Sequence, residues 1–233
     1  MTSALPNTSE AWASDPSGLL RGLHRQPVLA VLRVFERHLA EAQLSQLMDA
    51  GLQHVELAVA LTPAWVELAI DLRERFPALR LGAASVRCLQ GLAAAQAAGL
   101  DYVVSPILEP QLLAQARQDG ITLIPGVYTP SEVAHAQALG APAVKLFPAS
   151  SVGPSYWSSL AGPLSPLPYC IAAGGLSALD ARLWLESGVD AVALGGSLFE
   201  TSTAPGESVK LRPGLTTLLA WLEQRANDAL LSD

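Results

Sequence analysis

Lysine is nearly missing from this chain. Of its 14 basic residues, Lys145 and Lys210 are the only lysines, and the rest are arginines. Lysine ordinarily decorates surfaces, so where these two stand is informative. Cysteine is as sparse. Cys88 and Cys170 sit in apolar surroundings with no metal-type spacing, which predicts two buried, reduced thiols. The histidines His24, His38, His54 and His135 form no HxxH or HExxH pair, so a histidine-built metal site is not expected. Basic clusters are absent and the net charge is -7, so a nucleic-acid partner lacks its electrostatic footprint. No segment reaches the roughly 18 to 20 unbroken apolar residues of a membrane span. Met1 to Ser17 has neither the basic start nor the apolar run of a secretory signal; its Ser, Thr, Pro and Ala content reads as a flexible arm. A cytoplasmic location is the resulting expectation.

What the chain does have is apolar residues, half of its 233, enough for one substantial core. Residues 18–233 read as one domain. Short β-rich runs alternate with Ala/Leu-rich helical stretches. The strand candidates are Val28–Leu32, His54–Val59, Leu79–Ala83, Tyr102–Val104, Thr122–Ile124, Ala143–Phe147, Tyr169–Ala172 and Ala191–Leu194. They are apolar on both faces, as strands of a parallel sheet covered by helices must be. Glycine follows most of the intervening helices, for example Gly51, Gly99, Gly120, Gly140 and Gly188, where a left-handed residue ends a helix. Eight strand candidates, each but the last followed by a clear helix, predict an α/β fold of the (β/α)8 barrel type rather than an open doubly wound sheet. Gly18–Arg25 is expected to cover the bottom of the barrel as an extra N-terminal helix, and Leu215–Leu231 to supply the final outer helix.

A barrel carries its functional groups at the C-terminal ends of its strands. Lys145 lies inside a strand, between Val144 and Leu146. Burial disfavours an ammonium ion and frees the amine as a nucleophile, yet a lysine at a strand end also makes structural ion pairs, and position alone leaves both readings standing. Glu56 is the second embedded charge. Alternation along the strand puts His54, Glu56 and Ala58 on one face. If that face points inward, Glu56 approaches Lys145 and can shuttle protons; a buried ion pair is the structural alternative. Arg33 ends the first strand and suits a carboxylate or phosphate. Ser85 offers a hydroxyl at the end of the third. Gly174-Gly175 and Gly195-Gly196-Ser197 end the seventh and eighth strands, where barrels often bind phosphate through backbone N–H groups.

Several of these segments, in order, resemble the 2-keto-3-deoxy-6-phosphogluconate / 4-hydroxy-2-oxoglutarate aldolase family over about Pro27 to Glu200. Val144-Lys145-Leu146-Phe147-Pro148-Ala149 is similar to the family's Schiff-base lysine segment and is the most specific match. Val55-Glu56-Leu57 looks like its catalytic glutamate segment, and Gly82-Ala83-Ala84-Ser85-Val86 like its GAGTV. Val104-Ser105-Pro106 and Ile124 to Glu132 match two further loops, and the glycine pairs its phosphate site. The resemblance implies a class I aldolase with no metal and no other cofactor, assembled as a homotrimer, with catalytic Lys145 and Glu56. Arg33, Ser85, Pro106, Phe147, Gly174, Gly175, Gly195, Gly196 and Ser197 would then bind a 2-keto acid. The substrate implied is 2-keto-3-deoxy-6-phosphogluconate, cleaved to pyruvate and glyceraldehyde 3-phosphate as in the Entner–Doudoroff route, with 4-hydroxy-2-oxoglutarate as a further one.

Three departures from the family pattern bear on the substrate. Leu57-Ala58-Val59-Ala60-Leu61-Thr62 has no arginine or asparagine where many members hold the pyruvate carboxylate. Ser85 replaces a threonine, and Ile107 a glycine. Arg33, Arg87 or the Ser85 hydroxyl would have to compensate, and weak or shifted aldolase activity is the expectation. Two other readings compete. The same imine would decarboxylate oxaloacetate, and a sugar-phosphate-binding barrel without lyase activity would share the same loops.

Overall fold

The computed structural model describes residues 15–200 and 209–230. All strands run parallel in one sheet that curls into a barrel. β1 (Val28–Leu32), β2 (His54–Ala58), β3 (Arg80–Ala84), β4 (Tyr102–Val104) and β5 (Thr122–Ile124) alternate with the helices α2 (Arg37–Asp49), α3 (Pro63–Arg75), α4 (Leu89–Ala97) and α5 (Pro110–Gln118). β6 (Gly126–Val127), β7 (Val144–Leu146), β8 (Cys170–Ala173) and β9 (Ala191–Leu194) complete the wall. Between them lie α6 (Pro130–Ala138), the short α7 (Ser155–Ser159) and α8 (Ala161–Leu164), and α9 (Ala178–Glu186); α10 (Gly214–Leu230) packs beside α9.

The expected eight strands become nine because Pro125 breaks the fifth. Proline has no N–H to donate to a ladder. β5 pairs with β4 and β6 with β7, and Pro125 bridges them covalently, its carbonyl accepting from the Lys145 N–H at 2.8 Å. The order β5-β4-β3-β2-β1-β9-β8-β7-β6 therefore closes on itself through one residue.

Alternation decides which side chains face inward. Val28, Ala30, Val55, Leu57, Leu81, Ala83 and Val103 join the core between wall and helices. Leu29, Val31, Ala84, Tyr102, Val104, Ile171 and Ala173 form a separate inner core. His54, Glu56 and Ala58, which alternation puts on one face, thus point into the barrel. At the bottom, α1 (Leu19–Arg25) inserts Leu19, Leu20 and Leu23 into the inner core as a plug, with Gly22 over the His54 ring. Of the arm expected over Met1–Ser17, residues 1–14 lie outside the described residues. Asp15 to Ser17 are not an arm: Asp15 is buried, accepting from the Thr122 hydroxyl at 2.8 Å and the Leu20 N–H at 2.7 Å.

Candidate active site

Lys145 is the middle residue of β7 and is 5% exposed between two fully buried neighbours. Leu146 and Val144 face the outer core, which turns Lys145 into the barrel. Glu56, the middle residue of β2, is 0% exposed, and neither of its carboxyl oxygens has a hydrogen-bond partner among the described residues. The two feel each other's charge, yet no ion pair within 4.0 Å joins them among the described residues. A contact ion pair is therefore not what holds either in place. Burial is the larger influence on both. It pushes the Lys145 ammonium below and the Glu56 carboxyl above their ordinary ranges, against their mutual attraction. Arg33 lowers both. An amine readier to be neutral is a nucleophile, and a carboxyl readier to hold a proton can deliver one.

The other expected residues gather around Lys145 in two lobes that share Arg33, Lys145 and Phe147, and Glu56 lines neither. One, of about 280 Å³, is walled by Ala173, Gly174, Gly175, Ser177, Gly195, Gly196 and Ser197. The other, of about 620 Å³, is walled by Val59, Leu61, Ser85, Arg87, Cys88, Gly91 and Pro106. The Lys145 ammonium nitrogen lies 5.5 Å from the centre of the Phe147 ring. An Arg33 Nη1–H donates to Ser85 Oγ at 3.2 Å, so β1 and β3 deliver a guanidinium and a hydroxyl to one place beside the lysine. Ser85 is the one non-glycine residue at positive φ (62°) among the described residues, a strained conformation of the kind found at functional turns.

The glycine pairs are packed as well as open. Gly174 and Gly175 have φ of 95° and 77°, and a Cβ on Gly175 would lie 2.2 Å from Ser150 Oγ. Gly196 has nothing within 4 Å of where a side chain would start, and the Ser197 hydroxyl donates to the Leu176 carbonyl at 2.8 Å, tying the two loops together. Ser177 and Asp180 cap α9 reciprocally, a local requirement unrelated to ligand.

Cys88 departs from expectation. It is half-buried at the start of α4 and lines the larger lobe, because it ends a loop rather than joining the strand; Cys170 is buried as expected. Arg87 lines the same lobe. Tyr102 leaves no signal in the sequence, because the carbonyl its hydroxyl meets, that of Val55, stands two strands away. Among the described residues no three His, Cys, Asp or Glu side chains are grouped to hold a metal ion, and no helix is long and apolar enough to cross a membrane. An apolar cavity of about 290 Å³ lies at the other end of the strands, beside Pro16, Leu113 and Thr122, away from this chemistry.

Comparison with known proteins places the whole chain rather than its single residues. The family model described as "Aldolase: KDPG and KHG aldolase" matches residues 20–210. A protein of Rhizobium meliloti (strain 1021), named probable 2-dehydro-3-deoxy-6-phosphogalactonate aldolase, is 28% identical over 196 residues, 84% of this chain and 92% of that protein. The 2-dehydro-3-deoxy-phosphogluconate aldolase of Pseudomonas aeruginosa is 38% identical over 142 residues, 59% of this chain and 64% of that one. Among solved structures, the 2-keto-3-deoxy-6-phosphogluconate aldolase of Zymomonas mobilis ZM4 with 3-phosphoglycerate superposes with a TM-score of 0.70 at 26% identity, covering 88% of this chain and 95% of that one.

Proposed function

The chain belongs to the family of KDPG and KHG aldolases and is a carbon–carbon lyase, and from that premise we propose that it works as a class I enzyme through a Schiff base on Lys145, with 2-keto-3-deoxy-6-phosphogluconate as substrate. One observation carries this reading: a buried lysine without a contact ion pair, among the described residues, sits where two cavity lobes meet, inside a barrel that also holds an unpartnered carboxyl.

The neutral Lys145 amine attacks the C2 carbonyl, and Glu56 donates the proton with which water leaves the carbinolamine. Glu56, now a carboxylate, takes the C4 hydroxyl proton. The C3–C4 bond breaks, its electron pair passes into the iminium to form an enamine, and glyceraldehyde 3-phosphate departs. Protonation at C3 and hydrolysis release pyruvate and restore the amine. Arg33, oriented by Ser85, offers its fork to the C1 carboxylate in place of the side chain missing after Glu56. The loops at Gly174-Gly175 and Gly195-Gly196-Ser197 take the phosphate, with Pro106 and Phe147 bounding the chain of carbons. 4-Hydroxy-2-oxoglutarate is a further substrate of the same steps, giving pyruvate and glyoxylate. The galactonate epimer is a second reading, favoured by the name of the R. meliloti relative and its span. A cytoplasmic, Entner–Doudoroff role goes with the gluconate substrate.

The test is borohydride trapping with pyruvate and both phosphorylated acids, peptide mapping of the modified lysine, and turnover of each acid. An adduct on Lys145, absent from Lys145→Ala, is expected, with the gluconate acid cleaved faster. Absence of any adduct on Lys145 removes the mechanism. CO2 release from oxaloacetate without cleavage of either sugar acid would replace it with decarboxylation through the same imine.

We also propose assembly as a homotrimer. Phe35, Leu61 and Ile107 are large apolar side chains left exposed on the loops after β1, β2 and β4, and Leu89 is another at the first residue of α4, an exposure that marks an interaction surface. Light scattering should give three times the 24.4 kDa chain mass; a monomer at working concentration excludes the assembly.

A further inference from the structure

At the level of the candidate base, three residues stand side by side on the inner wall. Strand register pairs Glu56 with Gly82, and Gly82 with Tyr102. Gly82 has no side chain, and its place is taken: a Cβ there would lie 2.4 to 2.6 Å from three carbons of the Tyr102 ring. The ring therefore crosses Gly82 and reaches β2, where the Tyr102 hydroxyl donates to the Val55 carbonyl at 3.3 Å, one residue before Glu56. Tyr102, like Glu56, is 0% exposed.

We propose that Tyr102 is a positioning residue for Glu56: its ring, lying in the slot that Gly82 leaves open, fills the space beside the carboxyl and keeps water from it. This rests on the reading of Glu56 as the proton carrier. The physical consequence follows from what surrounds the carboxyl. Lys145 and Arg33 favour its charged form, while burial opposes it and is the larger influence. His54 lies below it on β2, and Arg80 and Asp101 bear on the tyrosine side. Removing the ring admits water, weakens the opposition and leaves the cations to prevail, so the carboxyl becomes a weaker base that ionises at lower pH.

The experiment is the pH profile of kcat for cleavage in six variants of the full chain. Tyr102→Ala should move the acid limb down by about one pH unit and lower the plateau roughly tenfold, with KM changed far less. Tyr102→Phe and Tyr102→Leu keep a filled, dry slot and should hold the limb at the wild-type pH. Gly82→Ala displaces the ring and should move the limb the way Tyr102→Ala does; it carries the test if the alanine variant does not fold. In the double variant the new methyl meets an empty slot, so no further shift is expected. An unmoved limb in Tyr102→Ala, a limb in Tyr102→Phe that moves as far as in Tyr102→Ala, or full additivity in the double variant overturns the assignment. Pyruvate trapping on Lys145 and the profile of Glu56→Gln separate this from the underlying reading. A limb that survives in Glu56→Gln removes Glu56 as the base and the proposal with it. A limb lost there yet unmoved in Tyr102→Ala overturns the role of Tyr102 alone.

Discussion

Glu56 brings two carboxyl oxygens into the barrel with no hydrogen-bond partner for either among the described residues. Burying such a group without a partner costs about 1–3 kcal/mol even in its neutral form, and a structural role would be served better by an apolar side chain of the same size. Glu56→Met should therefore raise the unfolding free energy, by about 1–3 kcal/mol, while lowering turnover about 10²- to 10⁴-fold. Thermal melts and steady-state kinetics check both; a destabilised variant would mean that the carboxyl is holding the fold. At this scale the sequence is readable where one residue type is scarce. Lys145 stands out because the chain has only one other lysine, and Glu56 because strand alternation places it opposite to Val55 and Leu57. Arg33 meeting Ser85, and Tyr102 crossing Gly82, are not readable, since each contact joins strands whose register only the closed barrel sets.

The β-rich runs and glycine stops locate nearly every element, because a strand buried on both faces and a helix ended by glycine each leave a mark on composition. The boundaries move by a residue where the ladder runs one pair further, as at Ala84 opposite Ala58 and Ala173 opposite Ala193. The break at Pro125 is different. Proline in a strand signals a missing N–H, but that it lets one stave pair with different neighbours above and below depends on the curvature of the whole sheet. The loop after β8 shows how element geometry reaches the site. Gly175 needs positive φ and leaves room for Ser150, so Gly175→Ala strains the loop twice over. It should raise KM for the phosphorylated substrate by tenfold or more, a loss of about 1.4 kcal/mol in binding, while pyruvate still traps on Lys145. Adding Ser150→Ala should recover only part of the loss, because it relieves the clash and not the backbone. Equal loss of pyruvate trapping would show that the loop supports the lysine rather than the phosphate.

For the molecule as a whole, acid sets buried His54 against half-buried Asp190 at the bottom of the barrel. His54 lies under the α1 plug, where burial first, and then Arg80 and Arg25, press its pKa down to about 4. Below pH 6.5 the unfolded chain takes a proton on this histidine that the folded chain refuses until about pH 4, so acidification destabilises the fold across that window, by about 3 kcal/mol in total. Asp190, which accepts from the Cys170 N–H at 2.7 Å, is raised by burial to about 6. The folded chain takes its proton there, and the unfolded chain only near 3.8, so acidification through that range stabilises the fold. Glu56, also raised by burial, adds to the side of Asp190. In the wild-type protein the loss from His54 between pH 6.5 and 4 is thus opposed by the gain from Asp190 and Glu56. Glutamine at position 54 keeps a polar side chain under Gly22 but cannot take the proton, and so leaves the acidic groups unopposed. The unfolding free energy of His54→Gln, measured by denaturant titration at several pH values, should gain on wild type by about 1.4 kcal/mol for each unit of acidification below pH 6.5, levelling off near pH 4. A constant gap between the two proteins from pH 7 to pH 4 would show that His54 takes its proton equally in both states, and that the plug does not seal the bottom of the barrel against water.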